Sequence, residues 1–108
     1  MSNMIFPQNF HNDAGAAEML KLLPGWERVD SDQSPGLKKT YMFIDFKACI
    51  SFMSAVVDDI EELQHHPQWI NTYNRLEVFL TTWDEANTIS LLDYKLAYLL
   101  DQHFLDFS

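Results

Sequence analysis

Between Asp45 and Pro67 the chain carries its strongest periodicity. Cys49, Phe52, Met53, Val56, Val57, Ile60 and Leu63 recur at helical spacing, while Ser51, Ser54, Asp58, Asp59, Glu61 and Glu62 lie mostly away from them. Asp45 supplies an N-cap at one end. Pro67, which has no backbone N–H and clashes with a preceding turn, forbids continuation at the other. A helix this long, apolar over so broad a stripe, cannot stand alone in water. The rest of the chain must supply the surface that covers it.

The flanking segments read as that surface. After Asp13, a second candidate cap, Ala16, Met19, Leu20 and Leu23 follow a helical spacing that Pro24-Gly25 ends. Trp26–Val29 reads as a short strand, Asp30–Gly36 as a turn region, and Leu37–Asp45 as a strand in which Tyr41 and Phe43 alternate with Met42 and Ile44. Beyond the long helix, Trp69–Tyr73 and Leu76–Trp83 read as two strands with Asn74-Arg75 at the bend. In the second, Leu76, Val78 and Leu80 share one face, and Glu77, Phe79, Thr81 and Trp83 the other. Ser90 with Asp93 forms a variant capping box ahead of a last helical stripe, Leu92, Leu96, Leu99, Leu100 and Phe104. The order is α-β-β-α-β-β-α. It predicts an α+β two-layer sandwich: a four-stranded antiparallel sheet with three helices packed on one face. Residues 1–12 read as an N-terminal arm and 13–108 as a single domain. The uncovered sheet face is left to solvent or to a partner subunit.

Composition narrows the class of function. A formal net charge of -9, with 16 acidic against 7 scattered basic residues, excludes direct binding to a nucleic-acid backbone, which needs clustered Lys and Arg. A hydrophobic fraction of 47% excludes a disordered chain despite that charge. The single cysteine, Cys49, has no intramolecular disulfide partner and sits in an apolar run, so it reads as a buried small hydrophobe. No apolar run is long enough to span a membrane and no leader-like stretch opens the chain, so a soluble, cytoplasmic protein is expected.

The densest polar cluster is Glu61-Glu62-Leu63-Gln64-His65-His66-Pro67-Gln68-Trp69. Two histidines stand at the C-terminal end of the long helix, where the helix dipole favours their cationic form. Glu61 lies one turn before His65, which predicts that the carboxylate reaches that imidazole. A titratable ring oriented by a carboxylate is what general acid–base catalysis near neutral pH requires. Simple capping of the helix end is the alternative reading of the same histidines. A metal site is disfavoured: adjacent helical residues point about 100° apart, and no third ligand follows at a recognisable spacing. Trp69, Tyr73 and Trp83 read as core or interface aromatics, or as flat walls for a planar heterocycle. No G-x-G-x-x-G, P-loop or G-x-S-x-G motif is present, so nucleotide cofactors and serine-hydrolase chemistry have no support.

The spaced set Glu61-x3-His65-His66-Pro67-x5-Tyr73-x9-Trp83-x9-Asp93 resembles the signature of the pterin-4a-carbinolamine dehydratases. Gly25-Trp26, the run Tyr41–Phe46, Trp69-x-Asn71-x-Tyr73-Asn74, Leu80-Thr81-Thr82 and Leu96-Ala97 extend the resemblance across roughly Leu20 to Leu100. It implies dehydration of 4a-hydroxytetrahydropterin to quinonoid dihydropterin, the recycling step behind aromatic amino acid hydroxylases, with no metal or redox cofactor. By motif position, His65 and His66 are the implied acid–base and substrate-positioning pair. Glu61 and Asp93 are supporting carboxylates, and Pro67, Trp69, Tyr73, Trp83 and Asp93 are the implied substrate contacts. Many members carry a third catalytic histidine where this chain has Trp83. The family pattern admits tryptophan there, but an indole has no proton that titrates near neutral pH. The usual Gly-Gly-Leu-Thr turn is also replaced, by the stretch from Glu85 to Ser90. The resemblance further implies a homodimer or homotetramer. It also implies an alternative role as a non-catalytic dimerisation cofactor that meets a protein partner through the long helix.

Overall fold

A computed structural model describes residues 20–29, 35–82 and 89–107. The N-terminal arm, Asp13, most of the Asp30–Gly36 turn region, Trp83 and most of the stretch from Glu85 to Ser90 lie outside them. The described elements are β1 (Glu27–Val29), β2 (Gly36–Met42), α1 (Phe46–Leu63), β3 (Gln68–Thr72), β4 (Arg75–Leu80) and α2 (Leu91–Phe104). All neighbouring strands are antiparallel, and the sheet order is β1-β2-β4-β3. The central pair is therefore β2 with β4, two strands separated in sequence by the whole of α1. The fold is α+β with a four-stranded antiparallel sheet.

The expected count of three helices is corrected to two among the described residues. Residues 13–19 lie outside the described residues; of the rest of the expected first helix, Leu20 and Lys21 are helical and the chain then turns at Leu22–Gly25. Pro24 disfavours helical backbone at Leu23, and Gly25 adopts φ +86°, a conformation that side chains resist. The chain thus turns toward β1, and among the described residues α1 and α2 are the helices that cover the sheet.

The long helix forms as its pattern dictates. The Asp45 side chain accepts the Ala48 N–H at 2.8 Å, and Cys49, Phe52, Val56 and Ile60 are buried along one stripe. They pack on Leu37, Tyr41, Leu76, Val78 and Leu80, which alternate along β2 and β4. The last helix is turned slightly from its predicted face. Asp93, Tyr94, Leu96, Ala97 and Leu100 are buried, while Leu92 and Leu99 are only half-buried. Beneath the far end of α2, Asp101 Oδ1 accepts from Trp26 Nε1 (3.1 Å), Lys39 Nζ (2.8 Å) and Tyr41 OH (2.5 Å). That node ties β1, β2 and α2 together. Burial and the neighbouring Asp101 charge push the Tyr41 phenol above its ordinary range.

Candidate active site

The site starts from the way α1 ends. Gln64 takes a left-handed backbone conformation (φ 51°), its N–H bonds the Glu61 carbonyl at 3.2 Å, and the His65 N–H bonds the Ile60 carbonyl at 3.4 Å. This is a Schellman closure with glutamine where glycine is usual. The chain leaves the helix axis there, so His65 and His66 follow a sharp turn rather than a further helical turn.

That turn changes the pairing expected from sequence. Glu61 does not orient His65. Its Oε2 lies 2.6 Å from Nε2 of His66, in a pair whose side chains are 66% and 63% exposed respectively. The i,i+4 expectation assumed helix through His65, whereas α1 stops at Leu63. His65 instead meets Asp93, with Nε2 to Oδ1 at 2.5 Å. The Asp93 side chain is fully buried and that of His65 is 11% exposed.

Asp93 is held from two further directions. Its Oδ2 accepts from Thr82 Oγ1 at 2.8 Å and from the Ser90 backbone N–H at 2.9 Å, the second bond being the carboxylate arm of the capping box that starts α2. Thr82 and Ser90 hydroxyls lie 2.6 Å apart. Because the Thr82 proton goes to Asp93, the Ser90 hydroxyl is the donor of that pair. Oδ2 is thus occupied by two donors and Oδ1 faces the ring; a carboxylate at Asp93 can only accept there, so the ring would supply the proton of the His65–Asp93 contact. Thr82 and Ser90 were not singled out as site residues from sequence. The signals were the Ser90-x-x-Asp93 capping spacing, which marks a helix start, and the place of Thr82 in the run Leu80-Thr81-Thr82 that extends the resemblance; neither speaks of a histidine.

The remaining expected residues separate. Pro67 and Trp69 follow directly on His66, with Trp69 packed partly against the core from β3. Tyr73 sits at the β3–β4 hairpin, 65% exposed and with φ 53°. It is a strand length, about 16 Å at 3.3 Å per residue, from Gln68. The structure does not bring Tyr73 to the histidine pair within one chain. Trp83 lies outside the described residues. Among the described residues no group of three His, Cys, Asp or Glu side chains converges in the manner of a metal site, and no helix is long and apolar enough to cross a membrane.

A buried carboxylate fixing one imidazole, beside a second imidazole with its own carboxylate, is a proton-handling arrangement. Comparison with known proteins agrees with the motif. A profile of the family described as Pterin 4 alpha carbinolamine dehydratase matches residues 10–103. The chain belongs to that family. It is 41% identical over 83 residues to a Bordetella avium protein named "Putative pterin-4-alpha-carbinolamine dehydratase", covering 77% of this chain and 74% of that protein. A Brucella ovis protein of the same name is 39% identical over 80 residues, 74% of this chain and 79% of its own length. Among solved structures, one described as a transcriptional coactivator/pterin dehydratase from Brucella melitensis superposes with a TM-score of 0.76 at 33% identity, covering 85% of this chain and 95% of the other.

Proposed function

We propose that this chain dehydrates 4a-hydroxytetrahydropterin to quinonoid dihydropterin, in the recycling of the pterin used by aromatic amino acid hydroxylases, with His65 and His66 as the acid–base pair. The observation that carries the reading is the 2.5 Å contact of His65 with a fully buried Asp93, in a chain of this family. The reaction has modest demands. The N5 lone pair expels the C4a hydroxyl, one group protonates that oxygen so that it leaves as water, and another takes the N5 proton. His65, fixed by Asp93, suits the step that needs a defined ring orientation. His66, exposed and paired with Glu61, suits exchange of protons with solvent. Pro67, Trp69 and Trp83 are proposed to wall the pterin, and a cytoplasmic location goes with this role. The test is the decay of 4a-carbinolamine generated by a hydroxylase. The purified protein accelerates it, and His65→Ala lowers the acceleration about 10²-fold or more. If His65→Ala and His66→Ala both leave the acceleration unchanged, the site assignment is wrong.

A second reading concerns assembly. Phe46, Ile50 and Val57 are 49%, 39% and 44% exposed on α1, with half-buried Met53 between them, a stripe distinct from the buried one. We propose that a second copy of the chain covers it, giving a homodimer or homotetramer. The relative described as a transcriptional coactivator/pterin dehydratase makes a different protein partner on the same face the alternative occupant. Sedimentation of the wild type as a strict monomer would sink the self-association. Ile50→Glu with Val57→Glu should shift an oligomer to monomer.

A further inference from the structure

The dehydratase reading leaves open which nitrogen of His65 meets the substrate and what keeps it there. Oδ2 of Asp93 is taken by the Thr82 hydroxyl and the Ser90 N–H, which leaves Oδ1 of a carboxylate to accept from Nε2 of His65. Nδ1 of His65 makes no hydrogen bond among the described residues. A neutral ring in this setting is therefore a donor at Nε2 and a base at Nδ1.

That tautomer depends on Asp93 keeping Oδ1 toward the ring. Asp93 is buried, and its orientation is set on the opposite oxygen by the Ser90 N–H and the Thr82 hydroxyl. The Ser90 N–H is fixed by the start of α2. Thr82 comes from another part of the fold, just beyond β4, and its hydroxyl is itself held by the Ser90 hydroxyl at 2.6 Å. Two donors on Oδ2 from separate segments fix the carboxylate plane, where one alone would leave it free to swing about the Cβ–Cγ bond.

We propose that Thr82 is a positioning residue whose hydroxyl locks Asp93, so that His65 donates from Nε2 and works on the substrate from Nδ1. This rests on the dehydratase reading for its chemical use, but the geometry stands apart from it. In the reaction Nδ1 takes the N5 proton as the C4a hydroxyl departs. Asp93 then stabilises the imidazolium, while the proton needed by the leaving oxygen comes from His66 and is restored from solvent. Substrate loses one water in all, and no electrons are transferred to the protein.

The experiment is two-bond proton–nitrogen NMR of the His65 ring, at a pH where its own nitrogen shifts report the neutral form, run beside steady-state kinetics. The wild type should show one neutral tautomer, protonated at Nε2. Thr82→Val removes the hydroxyl and keeps the shape. Because the freed Ser90 hydroxyl can swing onto Asp93, the double variant Thr82→Val, Ser90→Ala closes that route. The double variant should show mixed tautomers and a kcat lowered about tenfold, the scale of one hydrogen bond to a charged group, with KM little changed. Thr82→Ser should restore both readouts. A wild type protonated at Nδ1, or a double variant that keeps the single Nε2–H tautomer and a kcat within about twofold, would overturn the proposal. An inactive wild type that nevertheless shows the expected tautomer and its loss would refute the dehydratase reading and leave the positioning role standing.

Discussion

Asp93→Asn isolates the central interaction of the site without changing its size. The native carboxylate accepts three hydrogen bonds: from His65 Nε2 at 2.5 Å, Thr82 Oγ1 at 2.8 Å and the Ser90 N–H at 2.9 Å. An amide has one acceptor oxygen and one donor group, so it cannot satisfy all three donors. If its nitrogen turns toward Ser90, the backbone N–H at the start of α2 is left facing a donor in a buried place, at about 1–3 kcal/mol. The better orientation keeps the oxygen on Thr82 and Ser90 and places the NH2 against His65. The ring must then present a lone pair at Nε2 and carry its proton on Nδ1. Replacing the charged acceptor by a neutral one costs about 1 kcal/mol in each of the two bonds that the oxygen still accepts, and a neutral bond reversed in direction replaces the charge-assisted one to His65 at about 1 kcal/mol more, so about 3 kcal/mol in all. For a domain of this size that lowers Tm by about 10–20 °C. The effect on turnover is larger, because the inverted tautomer removes the base at Nδ1. Assayed well below the variant's Tm, kcat falls about 10³-fold or more, the scale seen when an Asp→Asn change leaves a catalytic histidine in the wrong tautomer. Calorimetry, carbinolamine decay and the His65 nitrogen shifts check the three parts. A variant with Tm unchanged, or one retaining kcat within about tenfold while His65 stays protonated at Nε2, would refute the reasoning.

Two further predictions concern the scaffold. Tyr41 keeps its proton in the folded state above the pH at which a free phenol loses it, about 10, since burial and Asp101 raise its pKa. The folded state then binds more protons than the unfolded one. Stability is fully present below pH 10 and falls as pH rises past it, by up to about 1.4 kcal/mol per pH unit from this group; burial of Tyr94 acts in the same direction. Urea titrations between about pH 8 and 11 should show this slope reduced in Tyr41→Phe, and equal slopes in the two proteins would refute it. Gln64 is exposed and left-handed at the end of α1, so Gln64→Gly should raise stability by about 1 kcal/mol in the same titrations. A loss would show that the closure is not strained.

The long helix was legible because its code is local. Asp45 caps it, and the buried positions Cys49, Phe52, Val56 and Ile60 are all in the stripe read from spacing alone. The strand alternation at Leu76, Val78 and Leu80 was legible for the same reason. The pairing of β2 with β4 is different: its register, such as Tyr41 with Leu76, joins residues 35 positions apart, and no periodicity within either strand specifies it. The node at Asp101 gathers Trp26, Lys39 and Tyr41 from 60 to 75 positions away. Its members look in sequence like any aromatic or surface charge. The expected first helix already stops at Pro24-Gly25; within the described residues its helical backbone ends earlier, at Lys21, because the turn that Pro24 and Gly25 demand begins at Leu22.

The candidate site shows the same division inside a few residues. Glu61, His65, His66 and Asp93 could be picked out as a motif, but which carboxylate meets which ring could not, because one left-handed residue decides it. With Gln64 helical, Glu61 and His65 would be neighbours on one face. With Gln64 at φ 51°, Glu61 meets His66, and His65 is directed to a carboxylate 28 positions later. The swap matters chemically. A His65–Glu61 pair would be an exposed ion pair, worth little and loosely oriented. The His65–Asp93 pair is buried, and Asp93 also accepts the N–H that starts α2. The same side chain therefore holds a helix end and a ring, so the ring inherits the rigidity of the fold. If the proposed dehydration runs through His65, no substitution at Asp93 separates activity from stability, whereas one at Thr82, whose hydroxyl meets the carboxylate and the Ser90 hydroxyl among the described residues, does.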